Sequence, residues 1–123
     1  MLAYGPDGNE LWRIEQGPFN NPMGMASSPI FVNGKVIQVC DSETESYMYA
    51  ADAKTGKIVW QIERPYSLRG YSTPALYQPA EGELQVVVAG SYELAAFDGR
   101  DGREDLVRPS AHLAIETYTN NRR

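Results

Sequence analysis

Hydrophobic residues along this chain fall in short runs that glycine, proline or polar residues separate. The clearest runs lie at 30–32, 35–40, 47–51 and 84–89. Asn33-Gly34 stands between the first two, and Asn-Gly between apolar runs is a strong signal for a two-residue β-hairpin turn. No stretch through residue 104 shows the 3.6-residue period of an amphipathic helix. The pattern therefore predicts an all-β protein built from antiparallel hairpins.

The predicted strands include one group of four and the start of a second group that repeats the same order. The first group comprises 29–32, 35–40, 47–51 and 57–63, and the second begins with 73–77, 84–89 and 94–97. Residues 84–89 are apolar apart from Gln85, which predicts a strand buried on both faces. Each group is expected to form one antiparallel four-stranded sheet.

A turn motif recurs along the chain. Its fullest copy is AADAKTGKIVW at 50–60, with Asp52 opening a turn, Gly56 closing it and Trp60 ending the strand that follows. The Asp side chain is expected to bond back to its own backbone, and the glycine to adopt a positive φ. Ile58, Val59 and Trp60 favour a half-buried strand.

Two further copies share this spacing. Ala96, Asp98 and Gly102 repeat the pattern, with Leu106 where the tryptophan is expected, and Gly8 with Trp12 forms a first copy that is one residue short. The three glycines are 48 and 46 positions apart, and a second marker, Ser28-Pro29 and Thr73-Pro74, recurs after 45. A period of about 40–50 residues containing several short strands is typical of a β-propeller blade.

The pattern Ala-x-Asp-x-x-Thr-Gly-x-x-x-Trp resembles the tryptophan-docking motif of quinoprotein-like (PQQ-like) β-propellers. The resemblance implies antiparallel four-stranded blades, with each tryptophan packed between neighbouring blades. The family includes dehydrogenases that use pyrroloquinoline quinone (PQQ) and non-catalytic scaffolds such as the lipoprotein of the outer-membrane assembly machinery. It assigns a structural docking role to Trp12, Ala50, Asp52, Thr55, Gly56, Trp60, Asp98 and Gly102.

Charge and hydropathy narrow the functional classes. The chain has 16 acidic and 11 basic side chains and a net charge of −5, without a basic stripe, which argues against electrostatic binding of nucleic acid. No apolar run approaches the about 20 residues of a membrane span. The first ten residues lack the basic and apolar regions of a secretory signal. From the resemblance, a periplasmic or extracellular location is expected for the parent protein.

The residues offer little for catalysis or metal binding. One cysteine, Cys40, and one histidine, His112, exclude a zinc site, and we interpret Cys40 as a small buried strand residue. Asp41, Glu43 and Glu45 alternate, but no glycine bends that segment as in calcium loops, so a solvent-exposed loop is expected. The same interpretation applies to Asp98 and the acidic residues at 101, 104 and 105.

The enzymes of the family are expected to carry a pair of adjacent cysteines and calcium ligands, and the chain lacks the cysteine pair. No catalytic, cofactor-binding or metal-binding residue is therefore predicted. The first hypothesis is a non-catalytic interaction scaffold of the bacterial cell envelope, with neighbouring blades and other envelope proteins as partners. The second is part of a PQQ-dependent alcohol or sugar dehydrogenase whose PQQ and calcium site lies in other blades. The loop at 16–25, with Phe19, Met23 and Met25, is either a contact surface or a small packed cluster.

Residues 1–104 are predicted to hold about two blades. Closed propellers have about 4–8 blades, so the chain is expected to be a fragment of a longer protein. Residues 105–123 form a tail without repeat markers. We interpret this tail as a third repeat translated in a shifted frame.

Codons for the tail can be chosen so that dropping the first base encodes IWSVRLPTWQSKPTPTTDG. This alternative places Trp at position 106 and Thr-Pro at 118 and 119, close to the spacing of the earlier copies. The competing hypothesis is that the tail is a genuine but divergent C-terminus, with a helix at 110–118. The nucleotide sequence tests the hypothesis: a shifted frame without the Trp and the Thr-Pro excludes it. If the hypothesis holds, His112 has no role.

Overall fold

The computed structural model describes residues 1–109, which form ten β-strands in three antiparallel sheets. Sheet 1 contains β1 (Leu2–Tyr4) and β2 (Glu10–Arg13). Sheet 2 contains β3 (Ile30–Val32), β4 (Lys35–Cys40), β5 (Tyr47–Asp52) and β6 (Ile58–Glu63). Sheet 3 contains β7 (Ala75–Tyr77), β8 (Gln85–Ala89), β9 (Glu93–Asp98) and β10 (Glu104–Pro109). This described part contains no helix, and hence none able to cross a membrane.

Each strand pairs with the next one along the chain. Sheet 2 has the order β3-β4-β5-β6, and sheet 3 has the same order from β7 to β10. The turn between β3 and β4 has φ of 48° at Asn33 and 75° at Gly34, as a type I′ hairpin turn requires. The prediction of an all-β fold with antiparallel four-stranded sheets is confirmed.

The main core lies between sheets 2 and 3. Sheet 2 contributes side chains such as Ile37 and Met48, and sheet 3 contributes Val86, Val88 and Phe97, all with at most 1% of their surface exposed. A second cluster of Cys40, Tyr49 and Ala51 packs against residues of the N-terminal segment, including Met1, Ile14 and Phe19. Because side chains alternate along a strand, β5 contributes to both clusters.

The inner strands are buried on both faces only where their sheet has a neighbouring sheet on each side. In β4, Ile37, Gln38, Val39 and Cys40 are all buried, because sheet 2 has a packing partner on each side. In β8, Val86 and Val88 are fully buried, whereas Val87 is only partly buried and Ala89 is exposed. The prediction that 84–89 is buried on both faces was therefore wrong for the second face.

The predicted boundary between residues 104 and 105 falls inside β10, which pairs with β9 from Glu104 to Pro109. The chain thus continues sheet 3 for five residues beyond the predicted end of the repeats. The remainder of the predicted tail, including His112, lies outside the described residues. The shifted-frame hypothesis stays a prediction.

Candidate functional site

The three copies of the turn motif have the same strand register. Ala3 pairs with Trp12, Ala50 with Trp60, and Ala96 with Leu106. A register irregularity lies next to each of these pairs, at the same place in the hairpin. Leu106 therefore occupies the backbone position that the tryptophan holds in the other two copies.

The Asp52 carboxylate organises the second turn. Its Oδ1 accepts hydrogen bonds from the backbone N–H of Lys54 at 3.0 Å and from the N–H and hydroxyl of Thr55, both at 2.9 Å. The hydroxyl of Thr55, followed by these N–H groups, lowers the pKa of Asp52 below its ordinary value. Gly56 has φ of 72°, and its N–H donates to the carbonyl of Asp52. The aspartate, threonine and glycine thus close the turn together.

Asp98 organises the third turn, in which Asp101 occupies the position of Thr55 and Arg100, at the position of Lys54, supplies the side-chain donor. The Arg100 guanidinium and backbone N–H both donate to the Asp98 carboxylate, and Gly102 has φ of 74°. These bonds lower the pKa of Asp98 to about 2. Asp98 is 1% exposed, so the prediction of a solvated carboxylate was wrong. The Arg100 side chain and the surrounding turn cover it.

The first turn differs from the other two by one residue. The N–H of Gly5 donates to the carbonyl of Asn9, as Asp52 does to Lys57 in the second copy. Gly5 therefore takes the place of the motif aspartate, and Gly8 follows after three positions where Gly56 follows Asp52 after four. This turn has no carboxylate at the motif position, and Asp7 accepts hydrogen bonds from Asn9 within the turn instead.

Trp12 of sheet 1 packs on the motif glycine of the following sheet. A methyl group added to Gly56 would lie 2.8–2.9 Å from three atoms of the Trp12 indole, closer than side chains pack. The indole N–H also donates to the carbonyl of Ala53 at 3.0 Å. Sheets 1 and 2 are thereby joined by a stacked indole and one hydrogen bond.

Trp60 makes the equivalent contact one sheet further along. A methyl group on Gly102 would lie 2.7–3.0 Å from the Trp60 indole, whereas one on Gly8 would meet nothing within 4 Å. Trp60 also packs against the core between sheets 2 and 3. Its Nε1 is buried and has no hydrogen-bond partner in the described chain, unlike that of Trp12. The two indoles pack on their glycines in the same way, but the indole N–H of Trp12 has a hydrogen-bond partner and that of Trp60 has none among the described residues.

Gly56→Ala and Gly8→Ala separate the tryptophan contact from backbone strain. Both glycines close a motif turn at positive φ, but only Gly56 lies under an indole. We expect Gly8→Ala to lower the free energy of unfolding by about 1 kcal/mol. Gly56→Ala should cost a further 1–3 kcal/mol or so, because the added methyl displaces Trp12. Urea unfolding of both variants measures the difference, and equal costs would contradict the contact.

The low pKa of Asp98 predicts acid sensitivity. The folded state favours the ionised form, so the group stabilises the fold above pH 3.8 and loses that effect as the pH falls towards about 2. Because Arg100 is half exposed, we expect a loss of about 1 kcal/mol. Urea unfolding between pH 2 and 5 should show this loss of stability in the unsubstituted protein and not in the Asp98→Asn variant. Parallel pH profiles for the two proteins would contradict the assignment.

The second repeat marker also joins neighbouring sheets. The Ser27 hydroxyl donates to the carbonyl of Ser72 at 2.9 Å, and the backbone N–H of Ser28 donates to the Thr73 hydroxyl at 3.2 Å. Ser28 and Thr73 occupy equivalent positions before Pro29 and Pro74. The marker therefore makes contacts between successive repeats, as the turn motif does.

A buried ion pair lies at the other end of the sheets, between Arg64 and Asp41. Arg64 Nε is 2.9 Å from Asp41 Oδ1, and both side chains are only 1% exposed. Asn21 donates to the Asp41 carbonyl, and Ser42 is buried beside it. The prediction of a solvent-exposed loop was therefore wrong for Asp41 and Ser42. Glu43 and Glu45 are exposed, as predicted.

The ion pair reaches into sheet 3. Arg64 Nη2 donates to the Ser67 hydroxyl at 2.8 Å, and that hydroxyl lies 3.2 Å from Glu93. The guanidinium also stands 5.4 Å from the centre of the Phe97 ring. A methyl group on Gly70 would lie 2.6 Å from Asp41, and one on Gly90 2.8 Å from Ser67. These two glycines leave the room that the cluster occupies, and no pattern in the sequence indicated the pairing of Arg64 with Asp41.

The loop at 16–25 contains both predicted types of residue. Phe19 and Met25 pack against the cluster around Cys40, as the packing alternative proposed, whereas Met23 is 81% exposed. Cys40 is fully buried in β4, as predicted, and burial raises the pKa of its thiol to about 11. Within residues 1–109, no group of three or more histidine, cysteine or acidic side chains is placed to hold a metal ion.

Comparison with known proteins identifies relatives at the level of the family. A family model described as outer membrane protein assembly factor BamB matches residues 1–116. The match covers most of the 123 residues and extends past residue 104, the predicted end of the repeats. No curated protein matches the chain.

Proposed function

We propose a scaffold role for this chain, which belongs to the PQQ-like repeat family described as outer membrane protein assembly factor BamB. In this role the chain is a non-catalytic part of a β-propeller that holds other proteins in the bacterial cell envelope. The motif tryptophans dock successive blades, and neighbouring blades and envelope proteins are the partners. No PQQ or calcium is part of this role.

The packing of Trp12 on Gly56 and of Trp60 on Gly102 supports this proposal most directly. Both contacts use motif residues to join one sheet to the next, so these side chains are engaged in assembling the propeller. Asp98 and Asp41 are likewise engaged in ion pairs with Arg100 and Arg64. The description of the family as an assembly factor of the outer membrane supports an envelope location, periplasmic or extracellular.

Titration with PQQ and Ca²⁺ tests the proposal against the dehydrogenase alternative. If the full-length parent protein is a scaffold, the quinone absorbance will not change when that protein is added, with or without calcium. Cross-linking in envelope fractions should then give discrete adducts with envelope proteins, which mass spectrometry identifies. A saturable change in quinone absorbance that requires calcium would support the dehydrogenase and contradict the scaffold.

A further inference from the structure

We propose that a cleft at one end of sheets 1 and 2 binds an extended basic peptide segment of a partner protein. The inference rests on the scaffold role proposed above and specifies the chemistry of the partner. The cleft extends from Ile58 of β6 to the end of the sheets away from the motif turns, where the connections 14–29, 41–46 and 64–74 run. We call it the loop-end cleft.

Two adjoining cavities of about 350 and 400 Å³ form the loop-end cleft. Glu45, Tyr47 and Gln61 line both cavities, so the two lie side by side. Residues 14–19 wall the first cavity, and residues from 42 to 68 wall the second. Two adjoining cavities of this size have room for several residues of an extended chain.

Stacked aromatic rings line the first cavity. The Tyr47 ring centre lies 6.4 Å from that of Phe19 and 6.3 Å from that of Tyr49, with interplanar angles of 27° and 29°. Tyr49 is buried beneath, whereas Phe19 and Tyr47 are only partly buried and face the cavity. An aromatic face that a ligand can reach attracts ammonium and guanidinium groups.

The charges around the cleft also favour a cation. Glu15, Glu45 and Glu63 line it, are exposed, and have no ion-pair partner among residues 1–105, whose side chains the structure describes. The other charged side chains there are neutralised: Arg69 pairs with Glu43 at 2.8 Å, and Arg64 pairs with Asp41. Glu45 and Glu15 stand beside the aromatic rings, so a cationic side chain can meet a carboxylate and a ring together.

Arg64 supplies an independent indication of a ligand. It lines the second cavity, and its Nη1 is buried without a hydrogen-bond partner in the described chain. An unpaired buried donor is costly, so an acceptor in the complex stabilises it. An extended peptide brings backbone carbonyl oxygens together with lysine or arginine side chains. A simple cation lacks the acceptor, and the carboxylates repel nucleic-acid phosphates.

Binding of labelled peptides to the intact protein tests this inference. The probe is an octapeptide of alternating lysine and alanine with blocked ends, and its counterpart has glutamate for lysine. Fluorescence anisotropy should show saturable binding of the lysine peptide and none of the glutamate peptide. Glu15→Gln/Glu45→Gln should weaken binding about fivefold, as the loss of two partly exposed charge pairs implies. Tyr47→Leu should weaken it about threefold, and Tyr47→Phe should not.

A matched control separates the cleft from overall charge. Glu81→Gln/Glu104→Gln removes the same two charges from exposed positions outside the cleft, and should leave the affinity unchanged. Near-ultraviolet circular dichroism checks that every variant is folded. If Tyr47→Leu does not fold, the glutamine variants alone test the inference. Equal weakening by both double variants, or equal binding of the two peptides, overturns the inference. Either result leaves the scaffold role to the quinone titration.

Discussion

Replacing Arg64 with alanine is expected to lower the free energy of unfolding by about 3–5 kcal/mol. The substitution leaves the Asp41 carboxylate buried without its cation, since Asp41 is 1% exposed and its pairing partner is Arg64. It also removes the bond to Ser67 and the contact with Phe97, which link sheet 2 to sheet 3. Urea unfolding at neutral pH measures the loss.

Arg69→Ala is the matched control for this prediction. Arg69 pairs with Glu43 in the same loop region, but both side chains are exposed, so its loss should cost less than about 1 kcal/mol. The double variant Arg64→Met/Asp41→Leu should recover part of the stability, because no unpaired buried charge is left. Equal costs for Arg64→Ala and Arg69→Ala would show that burial of the pair has little energetic weight.

The strand pattern was predictable because its causes are local. Asn33-Gly34 determines a hairpin through the positive φ that both residues adopt, and the predicted strand 35–40 coincides with β4. The motif turns were equally predictable from the sequence, because the hydrogen bonds of Asp52 reach only two and three residues along the chain. The repeat spacing then indicated which units pack side by side.

The buried ion pair was not predictable from these patterns. Asp41 and Arg64 are 23 positions apart, and each lies in a polar segment that local rules assign to solvent. Their burial depends on sheet 3 packing over them and on the space left by Gly70 and Gly90. Both glycines have φ outside the left-handed region, so no turn rule singles them out. Contacts of this kind require the relative placement of two sheets.

Replacing Trp60 with alanine should cost about 3 kcal/mol, near the lower end for large aromatic side chains, because Trp60 is only partly buried. The indole covers Gly102 and packs against the core between sheets 2 and 3, so its removal opens a cavity between the two sheets. Val59→Ala is the control, because Val59 is half exposed in the same strand and should cost under about 1 kcal/mol. Denaturant unfolding compares the two, and similar costs would contradict the docking role.

Replacing each tryptophan with phenylalanine measures how much the indole N–H contributes to the stability of these contacts. Trp12→Phe loses the hydrogen bond to the Ala53 carbonyl and exposes that acceptor, at a cost of about 1 kcal/mol beyond the lost packing. Trp60→Phe loses no hydrogen bond, because Nε1 of Trp60 has no partner in the described chain. We therefore expect Trp12→Phe to be the more destabilising of the two by about 1 kcal/mol. Equal costs for the two substitutions, or the reverse order, would contradict this difference between the two indole N–H groups.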